Sequence, residues 1–184
     1  MNETIRVRRH VDLSSIDLEM LEELFDREYR HLFGSWNPDA PYGYSPADIH
    51  VLAFSGQMLA AHVGFQRRLI TVGSREVIVA GTGGVLVDEH FRGTGLGGRV
   101  MREAQTLMRG NSGIEFGFLG CRQDVVPFYE STGWVQIDAT ERCLSRLDQK
   151  SIIESHRGPN LICSAQRDSS QWPIGDIDLQ GTPW

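Results

Sequence analysis

Hydrophobic positions along the 184-residue chain follow two periods. From Asp17 to Leu32, the residues Leu18, Leu21, Phe25 and Leu32 recur on one helical face, and Ser14-Ser15-Ile16-Asp17 supplies cap residues ahead of it. The spacing predicts a helix, with Glu28 close to its apolar face. Thr4–Val11, Ile49–Phe54, Met58–Val72 and Glu76–Val87 read as strands, separated in part by the turns Ser55-Gly56-Gln57 and Gly73-Ser74. A second helix is predicted from Gly95 to Arg109, burying Leu96, Val100, Ala104 and Leu107 and ending at Gly110-Asn111. Ile114–Leu119 reads as a buried strand and Asp124–Thr132 as a short helix stopped by Gly133. Strand-like stretches follow at Trp134–Ile137 and Leu161–Ala165, with a polar connection between them and an irregular tail from Trp172 to Trp184. The pattern is an antiparallel meander followed by strand–helix–strand–helix. It predicts one α+β (mixed α/β) domain over residues 1–184, with a mostly antiparallel central sheet flanked by helices.

Two segments depart from these periods. Residues 34–46 hold three prolines, two glycines and the aromatics Trp36, Tyr42 and Tyr44, which predicts a long loop of the kind that serves as a binding lid. Gly81-Thr82-Gly83-Gly84 interrupts a strand rich in Val and Ile. Glycines weaken a strand unless it bulges there or something approaches its backbone.

Composition narrows the class. Hydrophobic residues make up 40% of the chain and charged residues 23%, as in ordinary globular domains. No apolar run approaches the roughly 20 residues needed to span a bilayer, and the N-terminal stretch has no apolar core of a secretory signal. The three cysteines are scattered, without metal-ligand spacing, so a reducing cytoplasm and no metal are expected. The net charge of −6 argues against nucleic acid and suits a cationic partner.

The segment Phe91-Arg92-Gly93-Thr94-Gly95-Leu96-Gly97-Gly98 lies between a strand and a helix. Such a junction aims backbone N–H groups and the positive end of a helix at one spot, which suits a phosphate. Residues 93–98 formally match GxGxxG, but Asp88-Glu89-His90-Phe91 intervenes after the strand. The acidic residue that a dinucleotide fold wants about twenty positions later is missing at the end of the next strand.

Taking Arg92 into the motif gives R-x-x-G-x-G over Arg92–Gly97, which resembles the acetyl-CoA-binding loop of the GCN5-related N-acetyltransferases. Phe128-Tyr129-Glu130-Ser131-Thr132-Gly133-Trp134 resembles that family's second signature. The resemblance implies acetyl-CoA as co-substrate, with its pyrophosphate held by Arg92, Gly93, Thr94, Gly95, Leu96 and Gly97. It also implies that Val85, Leu86 and Val87 belong to a bulged strand whose backbone pairs with the pantetheine arm. The N–H near Val85 would polarise the thioester carbonyl, and Tyr129 would protonate the departing thiolate.

A finer resemblance, over about Met58–Trp134 and more loosely the tail, is to the aminoglycoside 2'-N-acetyltransferases, a family of antibiotic-resistance enzymes. It implies Trp184 as a terminal tryptophan whose carboxylate faces the substrate amine. The family's general base is a glutamate at the position of Gly83 here, so the expected acceptor pocket is enlarged and the substrate atypical, kasugamycin being one candidate. Trp184, Glu28, Asp176 and Asp178 are the candidate carboxylates, with Trp36 from the aromatic loop as a further acceptor contact. A homodimer is common in the family. Other functions compatible with these residues are N-acetylation of another small amine or a peptide, acylation of a lipo-chitooligosaccharide, which needs a longer acyl tunnel, and non-catalytic acyl-CoA sensing.

Overall fold

The computed structural model describes residues 3–111, 113–155 and 158–184. The helices are α1 (Ser15–Phe33), α2 (Leu96–Gly110) and α3 (Val126–Glu130). The strands are β1 (Glu3–Arg9), β2 (Ile49–Ser55), β3 (Met58–Val72), β4 (Arg75–Val87), β5 (Phe116–Gly120) and β6 (Val135–Ile137). Four more follow: β7 (Glu141–Leu144), β8 (Ile152–Ser155), β9 (Asn160–Ser164) and β10 (Ile177–Asp178). All join one mixed sheet in the order β6-β9-β5-β4-β3-β10-β7-β8, with β2 on the first half of β3 and β1 outside it. Only β4/β5 and β10/β7 pair in parallel among the described residues, so the expected antiparallel meander is present.

Each expected element up to β6 is present, with small differences in its bounds. The polar connection, in contrast, folds into the β7/β8 hairpin, and the tail contributes β10. These strands are only four and two residues long, too short to give a visible alternation.

Helix α1 starts at a reciprocal capping box, in which the Asp17 N–H donates to Ser14 Oγ at 3.1 Å and the Ser14 N–H donates to Asp17 Oδ2 at 3.0 Å. The sheet buries its two faces differently. Helix α2 covers one face through Leu96, Val100, Met101, Ala104 and Met108. On the other face, α1 covers Leu52, Phe54, Leu59 and Leu86, and the C-terminal segment covers Ile70, Val77, Phe116 and Phe118. No helix among the described residues is long and apolar enough to cross a membrane.

Asp88, at the end of β4, fastens α1 to the sheet. Its buried carboxylate receives the His90 N–H at 3.1 Å and pairs with Arg27 of α1 at 3.0 Å. Burial alone would raise its pKa, but the hydrogen bonds from His90 and the charge of Arg27 outweigh it and hold the carboxyl below its usual value. A depressed carboxylate contributes stability above its unfolded pKa and loses it as pH falls through the lower folded value. Asp88→Asn should therefore cost about 1–2 kcal/mol in denaturant melts at pH 7, the pair being half exposed on the Arg27 side. The difference from wild type should shrink below about pH 4. A cost independent of pH would show that the carboxylate charge is not what matters.

Candidate active site

Strand β4 parts from both neighbours at the glycines. Its pairing with β5 ends at Gly81↔Phe118, so Thr82–Val87 have no β5 partner and the two strands splay. On the other side, the β3 register shifts between His62↔Leu86 and Gly64↔Gly83, which places one extra β4 residue in a bulge at Gly84-Val85. Gly84 takes φ +59°, where a side chain would be strained. The bulge anticipated from the glycine run is present.

The glycine loop follows directly. Gly93 and Gly95 have φ of +77° and +80°, and Gly95 caps α2, whose first turn carries no acidic residue. The positive end of α2 therefore keeps its full effect on an anion. A Cβ on Gly97 would lie 3.1 Å from Val87 Cγ2 and 3.2 Å from Phe128 Cε2, so this glycine brings the helix close to β4 and α3. The Arg92 side chain lies against the protein: Nε donates to the Val87 carbonyl at 3.0 Å and one terminal nitrogen to Glu28 Oε2 at 2.6 Å. Arg92 thus braces the loop from below, and Glu28 serves as its counter-ion on α1. The splayed strands, the bulge, the loop N–H groups and the bare helix end follow one another from β4 into α2, and the helix end suits an anion.

Tyr129 on α3 packs edge-on against Phe128 and Trp134, with ring centroids 5.1 and 6.2 Å apart. Burial raises its pKa, with smaller contributions from Cys121 at the end of β5 and Tyr29 of α1. Its hydroxyl is therefore fully protonated at neutral pH, as a proton donor requires.

On the α1 face, the side-chain space of Gly64, Gly81, Gly83 and Gly84 is taken up by neighbours: a Cβ on Gly64 would fall 2.7 Å from Ala47 Cβ, and one on Gly84 would fall 3.1 Å from His62 Cε1 and 3.2 Å from Phe25 Cζ. The other two are covered by Trp184. A Cβ on Gly81 would fall 1.9 Å from Trp184 Cε2, and one on Gly83 would fall 2.6 Å from the Trp184 main-chain carbonyl carbon. Gly83 therefore does not open an enlarged pocket: the space of its missing side chain holds the Trp184 backbone.

Arg68 fastens this tail. Its guanidinium donates to the carbonyls of Leu179 and Thr182 at 3.2 and 2.8 Å, and stacks 4.0 Å from the Trp184 ring centroid. The Trp184 indole N–H donates to Gln66 Oε1 at 3.1 Å. Burial lowers the Arg68 pKa to about 10, opposed by Asp48. Neither Arg68 nor Gln66 carries a motif, and both acquire their role through a tail far away in sequence.

The remaining expected residues lie elsewhere. Trp36 is 7% exposed and stacks on Phe25 at 5.3 Å in the core under α1, with its N–H bonded to Asp26, so it is no free lid contact. The aromatic loop is itself pinned, since Arg146 donates to the Tyr42 carbonyl at 3.0 Å and lies over the Phe33 and Tyr44 rings. Asp178 pairs with Arg142 at 3.5 Å, and Asp176 accepts the Gly73 N–H through its carbonyl. Both sit by the β3/β4 turn, where Asp178 faces Thr71, five residues along β3 from Gln66. That separation is about 17 Å at the strand rise of ~3.4 Å per residue. The structure thus sets Val85 and Tyr129 in one apolar cluster, Gly97 of the loop against Val87 and Phe128, and Trp184 on Gly83; it places Glu28 at the loop and leaves Trp36, Asp176 and Asp178 apart.

Comparison with known proteins gives two findings. The sequence model of the family described as Nodulation protein A (NodA) matches residues 6–181. The fold matches that of GCN5-related N-acetyltransferases. Escherichia coli ElaA superposes with a TM-score of 0.62 at 17% identity, covering 88% of this chain and 99% of that one. The Escherichia coli GNAT-family protein YhbS, solved in complex with CoA, gives 0.62 at 17% identity, with 96% and 89% covered. A GNAT-family acetyltransferase from Brucella melitensis, solved in complex with acetyl-CoA, gives 0.59 at 16% identity, with 95% and 94% covered.

The tail contacts yield a direct test. Arg68→Ala should speed hydrogen exchange at the Ser45 and Leu144 amides, which donate to the Pro183 and Gly181 carbonyls, on the order of tenfold or more for each ~1.4 kcal/mol lost. Unchanged exchange at both would mean that the tail is held without Arg68.

Proposed function

The chain belongs to the nodulation protein A (NodA) family, and from that premise and the interrupted pairing of β4 we propose that it is an N-acyltransferase. On this reading it moves an acyl group from a coenzyme A-type thioester to an amine of an amino sugar. The observation that carries the reading is the coincidence of three features on one strand: the β4/β5 splay after Gly81, the bulge at Gly84-Val85 and the loop opening α2.

The roles follow from position. N–H groups of the loop Arg92–Gly97 hold the pyrophosphate, and the Val85 N–H polarises the thioester carbonyl, whose carbon the amine attacks. As the C–S bond breaks, the Tyr129 hydroxyl supplies the proton for the thiolate. The proton shed by the amine passes to solvent, since Gly83 offers no side chain and its space is held by the Trp184 main chain. The net charge of −6 favours a cationic acceptor.

The acceptor is the finer question. The aminoglycoside expectation rests on sequence resemblance alone, and the family the chain belongs to is a different one. Membership in a nodulation family favours the oligosaccharide alternative, a chito-oligosaccharide with a free amine.

Purified protein incubated with a glucosamine oligomer or an aminoglycoside, each with acetyl-CoA and with a long-chain acyl-CoA, should release thiol and give an acylated glucosamine oligomer by mass spectrometry. Acylation of the aminoglycoside alone would reverse the choice of acceptor, and no product from any pair would end the proposal. In the active pair, Tyr129→Phe should lower kcat by about 10²–10⁴ with CoA affinity unchanged. Arg92→Ala should instead weaken CoA binding by about tenfold, through a looser loop.

A further inference from the structure

Three histidines no motif singles out run in single file from the surface to the bulge. His62 Nδ1 lies 2.7 Å from the Gly84 carbonyl oxygen, His62 Nε2 lies 2.9 Å from His50 Nδ1, and His50 Nε2 lies 3.1 Å from His10 Nδ1. His10 Nε2 ends the row 3.3 Å from Asp39 Oδ1. His50 and His62 are 2% and 3% exposed and come from the adjacent strands β2 and β3, and Phe25 from α1 packs edge-on against His62.

The direction of every bond in the row follows from its inner end. A carbonyl oxygen only accepts, so His62 must carry its proton on Nδ1. Its Nε2 is then an acceptor, and His50 must supply the donor from Nδ1. His50 Nε2 in turn needs the Nδ1–H of His10. The outer nitrogen of His10 faces a carboxylate and completes the row only when it also carries a proton. Burial and the neighbouring histidines lower the His50 pKa to about 2, opposed by the Ala47 carbonyl, and burial lowers that of His62 to about 4. Both inner rings are therefore neutral, and the row ends beside an exposed carboxyl group, that of Asp39.

The Gly84 carbonyl belongs to the residue whose peptide continues into the Val85 N–H. Fixing that oxygen fixes the plane of the same peptide, and so the aim of the N–H. At a bulge the strand ladder cannot do this, because the extra residue has no strand partner.

We propose that His10, His50 and His62 form a directional hydrogen-bond chain that locks the Gly84–Val85 peptide, making His62 a positioning residue for the Val85 N–H. This rests on the acyltransferase reading only for what the N–H does. The lock itself is open to measurement without substrate.

Nitrogen-15 NMR of the full chain should show both His50 and His62 as the Nδ1–H tautomer, the less common form of neutral histidine. His10→Ala leaves His50 Nε2 without its donor. It should shift His50 toward the Nε2–H tautomer and move the Val85 amide resonance, while His10→Gln, whose amide can donate, should preserve both. An Nε2–H tautomer at His62 in the wild type, or an unmoved Val85 amide in His10→Ala, would overturn the lock whatever the enzyme proves to do. With an active donor and acceptor pair, His10→Ala should lower kcat about tenfold at nearly constant KM for the donor, equivalent to ~1.4 kcal/mol at the transition state. An equal kcat in the presence of a moved amide would overturn the positioning role. Absence of activity in the wild type refutes the proposed function and leaves the NMR result standing.

Discussion

Strand β4 has to be a central strand of the sheet and also stop behaving like one halfway along. From Val79 to Gly81 it is paired on both sides; beyond Gly81, the β5 side is open and the β3 side carries the bulge. Gly83, Gly84 and Val85 are partly open to solvent, so the unpaired N–H and C=O groups of this edge are free to take an extended polar partner. An arm bearing amides suits them in the manner of an added strand. The glycines make the break tolerable. Gly84 accepts the positive φ, and Gly81 and Gly83 give their side-chain space to Trp184. The rest of the site is arranged around this one interrupted ladder.

Helix α1 connects the two sides of the break. Arg27 reaches Asp88 at the end of β4, and Glu28 on the next turn position reaches Arg92 in the loop. Phe25, one turn earlier on the buried side, packs against His62 under the bulge. A single helix therefore contacts the loop, the strand end and the histidine row. The ion pairs are partly exposed and individually weak, so the rigidity here comes mainly from Leu21, Leu24 and Phe25 in the core.

The donor half of the site was legible in the sequence because its chemistry is local. A loop that cradles phosphate needs consecutive glycines before a helix, and a bulge needs a glycine where φ turns positive, so Gly84 and residues 92–97 announce themselves. The acceptor half is built from contacts distant in sequence. Trp36 sits in a segment rich in proline and glycine, yet its ring turns inward onto Phe25, which no local pattern records. Asp176 and Asp178 follow the tail, but two residues of pairing at the far end of β3 carry them away from the bulge. Gly83 read as an opening because the residue that fills it comes from the other end of the chain. His10, His50 and His62 lie on three elements, and only the sheet register sets them in file.

The tail is held in place without an ion pair to its clamp. Arg68 is the cation closest to the tail, yet it forms no ion pair with a described carboxylate. It grips the Leu179 and Thr182 carbonyls and the face of the Trp184 ring instead. The clamp thereby positions the Trp184 main chain over Gly83. Holding a backbone in place through carbonyls and a ring face keeps orientation separate from charge.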